Sequence, residues 1–284
     1  MKHRHEFISA LLLGIVGMVG STCMAFAAGP VSFGSASSFA ILSAAPNGGG
    51  AVTCTNSTIA GDVGSSGAAA SIVQTSCTIS GATVAPVSGQ VLADFNSAYG
   101  ALAAVSCDQT LTGTLADVTL APGVYCFPAA ATLTGTLTLA GPENGIWIFK
   151  VGTSGTGALT GTNFSVVMAN GAQACNVYWW VAEAATMTTS DFKGTILAGA
   201  AITQTDGTFS GNALAKAGVT FKGVAATGCE GGSFKPEKQR CNQGVGNGPE
   251  ACDPGNSNQG NPFRSNDELG GVPGNPGRKG GNKQ

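Results

Sequence analysis

From about residue 110 to residue 227 the chain is a succession of strand-sized pulses separated by Gly, Asn or Asp-Gly turns: "LTGTLADVTLAPGVYCF", "ATLTGTLTLAGPENGIWIFKV", "ALTGTNFSVVMANGAQACNVYWWV", "ATMTTSDFKGTILAG", "AITQTDGTFSGNALA" and "KAGVTFKGVAA". Within a pulse, apolar and small polar residues alternate. Leu133 and Leu137 occupy one side, and Thr132, Thr134, Thr136 and Thr138 the other. A period of two means strands with one buried face. Pulses this short bury too little alone, so the expectation is a β-solenoid in which each coil covers the apolar row of the next. A β-sandwich is the competitor, but it calls for no flanking amphipathic helix.

Such a helix is present. In "PVSGQVLADFNSAYGALAAVS", residues 86–106, the side chains Val87, Val91, Leu92, Phe95, Ala98, Tyr99 and Leu102 recur at spacings of three and four, one apolar stripe that must lie against something. Pro86 suits the helix start. Before it, from Ala28, short apolar pulses in Gly, Ser, Ala and Thr read as short strands and tight turns.

The first 27 residues read as an export signal: "MKHRHEF" as the positive region, "ISALLLGIVGMVG" as the apolar core and Ala25-Phe26-Ala27 as a small-x-small cleavage site. A secreted chain, extracellular or periplasmic and cleaved near Ala27, is the expectation. Its apolar core is short for a bilayer span, so no membrane insertion is expected. Both histidines, His3 and His5, lie in this segment, and no arginine occurs between Ala28 and Gln239. Histidine-based catalysis, histidine-ligated metals and arginine clamps are thereby excluded from the main domain. A net charge of -2 without any basic patch argues against nucleic acid.

Cys23 leaves with the signal, and the remaining cysteines form an even set in an exported chain, which points to disulfides. No CxxC pair suggests a metal site. The expected pairs are Cys54 with Cys77, Cys107 with Cys126, and Cys241 with Cys252; Cys175 reads equally as a free, buried thiol.

Several segments, "GDVGSSG", "TLAPGVYCF", "LTGTLTL", "WIFKVG", "NGAQACNVYW", "FKGTILA" and "GNALAKAGVTF", occur in an order that resembles the secreted microbial ice-binding protein family, over about residues 31–227. The resemblance implies a right-handed, three-faced β-solenoid with one long α-helix alongside, and a flat face bearing a Thr-Ala/Gly-x-Thr/Asn pattern that adsorbs to ice. Stacked strands roughly 4.8 Å apart would make a grid with same-side residues roughly 6.7 Å apart along each strand. Threonine suits such a grid because its χ1 is stiff.

"TGTN" fits that pattern, with Thr160 and Thr162 outward, Gly161 inward and Asn163 at a corner. "TMTT" keeps Thr186, Thr188 and Thr189 but has Met187 in the small position. "TDGT" offers Thr205 and Thr208 but carries Asp206, with Gln204 interrupting the alternation before it. Asp191, Lys193 and Asp206 would weaken an ice face if they lay on it. "LTGTLTL" shows the same threonine habit with no reason for a site there.

An enzyme is not expected, and no cofactor is called for: Asp62, Asp94, Asp108, Asp117, Glu143, Glu183, Asp191 and Asp206 are scattered singly, and Asp62 reads as a turn residue. Trp147, Trp179 and Trp180 could form a sugar platform, but alternation turns at least one of the adjacent pair inward. The segment 230–284 is Gly, Pro and Asn-rich and is expected to be disordered, with Arg278, Lys279 and Lys283 at its basic end. The sequence therefore reads as a signal (1–27), an ice-binding-like solenoid (28–229) and a tail, monomeric, with ice as partner. The alternative is an extracellular adhesion or matrix module that contacts cell-surface components.

Overall fold

The computed structural model describes residues 31–229 of the chain. The signal segment, the Cys241–Cys252 pairing and the tail lie outside the described residues.

The first coils comprise β1 (Phe39–Ser43), β2 (Val52–Thr55), β3 (Thr58–Ala60), β4 (Asp62–Ser65), β5 (Ile72–Thr75), β6 (Thr78–Ile79) and β7 (Thr83–Val84). Helix α1 (Gly89–Ala104) follows. The chain then climbs through β8 (Gln109–Thr110), β9 (Gly113–Leu120), β10 (Gly123–Phe127), β11 (Ala131–Ala140), β12 (Trp147–Val151), β13 (Leu159–Ala169), β14 (Val177–Val181), β15 (Ala185–Lys193), β16 (Thr195–Ala198), β17 (Ile202–Ser210), β18 (Ala213–Ala215) and β19 (Val219–Thr227).

These strands form two parallel sheets. One has nine strands in the order β7-β4-β1-β18-β16-β14-β12-β10-β8; the other has ten, running β5-β2-β19-β17-β15-β13-β11-β9, with β3 pairing β19 and β6. The fold is thus mainly β with one long helix. The order is not sequential: β18 and β19, the last strands, dock on β1 and β2, while β8 and β9 form the opposite end.

Between its exposed end strands β7 and β8, the nine-stranded sheet is buried on both faces, which is why strands such as "GVYCF", "WIFKV" and "VYWWV" are short apolar runs. Phe149, Trp179 and Ile196 point into the core shared with the second sheet, while Ile148, Tyr178, Trp180 and Leu197 point toward the helix. Aromatic rings run along the shared core: Phe149 stacks on Trp179 at 4.0 Å between centroids, and Phe192 on Phe209 at 5.2 Å. None of the three tryptophans offers an exposed platform. Trp147 and Trp179 are fully buried, and Trp180 lies under the helix against the Tyr99 ring at 5.3 Å.

The helix buries Val91, Phe95, Ala98 and Leu102, one stripe of the predicted face. Val91, Phe95 and Leu102 each contribute about 1.5–3 kcal/mol by leaving water, and the Ala98 methyl less. Its start differs from the expectation at Pro86: Ser88 is the N-cap, its hydroxyl accepting from the Val91 N–H at 3.4 Å. Its far end is held by Lys150, a buried cation on β12 whose Nζ donates to the Ala103 carbonyl at 2.7 Å and the Val105 carbonyl at 2.6 Å. These are carbonyls that a helix end leaves without partners.

Disulfides join Cys54 to Cys77 and Cys107 to Cys126, as expected. Cys175 is not a free thiol: it is bonded to Cys229, tying the loop before β14 to the segment after β19. The two partners lie 54 residues apart, and only the stacking of intervening coils brings them together.

Candidate binding face

The long strands of the second sheet change direction at one residue each, and those residues have left-handed backbone: Asp117, Gly135, Asn163, Thr189, Asp206 and Gly223, with φ between 49° and 67°. Asn56 after β2 and Ser76 after β5 continue the series. Glycine, Asn and Asp tolerate this region best, which explains most of the residue choices at this corner.

Before the corner, alternation sends two residues of every strand outward and the one between them inward. Parallel pairing in register then builds two outward columns. The first contains Thr114, Thr132, Thr160, Thr186, Thr203, Thr220, Thr53 and Val73 on β9, β11, β13, β15, β17, β19, β2 and β5. The second contains Ala116, Thr134, Thr162, Thr188, Thr205, Lys222, Thr55 and Thr75. Thr162 sits beside a register shift between β11 and β13, so Thr134 is its neighbour without being its direct partner. Thr160, Thr162, Thr186 and Thr188 are exposed, while Thr132, Thr203 and Thr205 are half-buried. The Oγ1 atoms of Thr132 and Thr160 approach to 3.3 Å.

The residues between the columns form the core side of the ladder. Gly161, Met187 and Gln204 all point inward and are buried. Met187 and Gln204 therefore do not damage the outward pattern, contrary to the expectation. The Gln204 amide donates to the Thr208 carbonyl at 3.0 Å. Gly161 is small because any side chain there would overlap the Phe164 ring.

The remaining expected site residues fall elsewhere. Asn163 and Thr189 occupy the corner itself, both exposed. Thr208 lies past the corner, so the ladder frame on β17 is Thr203 to Asp206 and not the "TDGT" of residues 205–208. Past the corner, Ser165, Asp191, Thr208 and Ala225 form a register row. Asp191 Oδ1 accepts from Lys193 Nζ at 2.8 Å and from the Thr208 hydroxyl, and Asp191 Oδ2 accepts from Ser165 at 3.4 Å. Burial opposes ionisation at Asp191, but the hydrogen bonds from Lys193 and Thr208, the lysine charge and the Ser165 contact outweigh it and hold the carboxyl below its ordinary value. The Asp191–Lys193 pair thus belongs to the adjoining surface. Asp206 is at the corner.

Other acids hold backbone: Asp108 accepts from the Val124 N–H at 2.9 Å, Asp117 from Thr136 at 3.0 Å, Glu183 from Gly157 at 3.0 Å. Asp62 begins strand β4 rather than sitting in a turn, and accepts from Ala82 at 2.8 Å.

Residues 47–227 match the family model described as ice-binding-like. The chain belongs to that family. Similar solved structures include an ice-binding protein from the Antarctic ascomycete Antarctomyces psychrotrophicus, at 32% identity and a TM-score of 0.61, covering 69% of this chain and 97% of the other. An ice-binding protein from an Antarctic biological consortium is 30% identical with a TM-score of 0.59, covering 70% and 91%. One from an Antarctic Flavobacteriaceae bacterium is 32% identical with a TM-score of 0.61, covering 78% of this chain and 50% of that one. Among curated protein sequences nothing matches.

In this ice-binding-like chain, the sequence signal that finds the whole face is Thr-x-Thr followed by a residue that tolerates left-handed backbone. "TLTG", "TGTN", "TQTD" and "TCTN" all have it, "TLAD", "TFKG" and "TMTT" vary it at one position, the last by placing β-branched Thr189 at the corner, and "VQTS" varies it at two. Of the threonines in "LTGTLTL", residues 133–139, Thr134 lies in the second column beside Thr162, whereas Thr136 and Thr138 lie past the corner at Gly135.

Proposed function

We propose that this chain is a secreted, non-enzymatic ice-binding protein that adsorbs to ice through the two-column threonine ladder. The observation that carries the reading is the register: strand after strand presents Thr-x-Thr outward at the same level. Neighbouring strands set one spacing of roughly 4.8 Å and the alternation along each strand sets another of roughly 6.7 Å, so the threonines form a two-dimensional array. Each hydroxyl can hydrogen-bond a water and each methyl restricts where that water sits. Because χ1 of threonine is stiff, docking loses little side-chain entropy.

The face also fits by elimination. The nine-stranded sheet is covered by α1 on its outer side, and the surface past the corner carries the Asp191–Lys193 pair, whose charges retain their own hydration. In this reading the solenoid is right-handed and three-faced, the faces being the helix-covered sheet and the two halves of the bent one. Thr160, Thr162, Thr186, Thr188 and Thr205 make the contact, Asn163 and Thr189 border it, and Thr208 stands outside. The signal (1–27), domain (28–229) and tail (230–284) complete the reading, and the disulfides accord with an oxidising destination.

Ice recrystallisation inhibition by the purified protein at micromolar concentration, against an inert protein control, is the test. Unchanged ice-grain growth would overturn the reading, and binding on a glycan array would then favour the adhesion alternative.

A further inference from the structure

The ladder is broken by charge at one place. Lys222 on β19 stands in the second column between Thr205 on β17 and Thr55 on β2, while the first column passes it unbroken through Thr220. Its side chain is exposed, and among the described residues it is the charged member of the two columns. An ammonium on a flexible four-carbon stem is a strongly hydrated point charge. It stands above the level of branched threonine tips and keeps liquid-like water around itself. A protein partner could shape itself around such a projection; a crystal face cannot.

Resting on the ice reading above, we propose that Lys222 is the boundary of the ice-contacting surface. The tract from β11 to β17 makes the contact. Thr53, Thr55 and Thr75, although in register, are held off the crystal by the lysine between them and that tract. The chain thus carries an extension of its own binding face that a single side chain keeps out of use.

The test compares recrystallisation inhibition by wild type, Lys222→Thr, Thr55→Tyr and the double variant, with Thr160→Tyr as the reference for a residue inside the tract and melting curves to confirm folding. Lys222→Thr is expected to lower the half-maximal concentration about twofold or more, because rows already in register then dock without new ordering cost. Thr55→Tyr is expected to be silent in wild type and harmful beside Lys222→Thr, a non-additivity diagnostic of coupling. Lys222→Ser, which shortens the side chain without needing a β-branched fit, should move in the same direction as Lys222→Thr. The proposal is overturned if both Lys222 variants fold and leave activity unchanged or weaker, or if Thr55→Tyr in wild type costs as much as Thr160→Tyr. Inactivity of wild type would instead remove the ice reading itself.

Discussion

Thr160 and Thr186 are direct partners on adjacent parallel strands, one rung apart, with Gly161 and Met187 paired behind them on the core side. The pair marks the middle of the ladder, where, if the ladder is the ice-contacting face as proposed, an intruding side chain would separate it from the crystal on both sides. Thr160→Tyr or Thr186→Tyr should raise the half-maximal concentration for recrystallisation inhibition about tenfold, as loss of a central anchor does. The melting temperature should hardly move, since both positions are exposed.

Gly161 separates core from face in the opposite sense. Gly161→Val would push into the Phe164 ring and is expected to cost about 1–3 kcal/mol in denaturant unfolding, the usual effect of overpacking. Thr160 and Thr162 are untouched, so ice activity measured well below the melting transition should fall far less than for Thr160→Tyr.

The Asp191 carboxyl is held below its ordinary value of 3.8 in the folded state. Between the folded and unfolded values the unfolded chain binds more protons, so stability rises with pH there. The contribution is present above the unfolded value and lost as pH falls through the folded one. Melting temperatures of wild type and Asp191→Asn should differ at neutral pH and converge under strong acid. Asp191→Asn should leave ice activity intact, because the residue lies past the corner from the ladder.

Lys150→Met removes the donors that serve the Ala103 and Val105 carbonyls while keeping the length of the side chain. Leaving such acceptors unserved typically costs about 1–3 kcal/mol. Chemical denaturation should report this as a lower midpoint, and hydrogen exchange should rise in the last turn of α1 before the rest of the helix.

Replacing Cys175 and Cys229 together by alanine should cost about 2–4 kcal/mol, the scale for a closed loop of this length. The ladder does not include either residue, so activity near the freezing point should survive while the melting temperature drops.

Much of this was legible in local pattern. Alternation in "ATLTGTLTL" announced a stacked strand, and the spacing of Val91, Phe95, Ala98 and Leu102 announced a helix with one covered face. What local pattern lacked was register. Met187 departs from a pattern that asks for a small residue, yet it is on the core side, where its size is packed and not displayed; on β17 the outward phase begins at Thr203, which local pattern does not distinguish from a start at Thr205. Thr53, Thr55 and Thr75 were invisible as site candidates because their coils come before the helix, yet stack beyond β19. Cys175 and Cys229 were unpaired in the sequence reading for the same cause: their proximity is a product of non-local stacking.

The docking of β18 and β19 on β1 and β2 has a consequence for the order of events in synthesis. The Ser43 hydroxyl donates to the Ala217 carbonyl, 174 residues later, at 2.6 Å, and Ile41 finds its strand partner at Ala213. Until the ribosome has released residue 227, the first coils lack the neighbour that covers one side of their sheet. The nascent polypeptide therefore cannot close its stack while still short, and this pairing of sequence-distant strands is of the kind that slows folding. The ladder is completed at one moment, when the last-made strands meet the first.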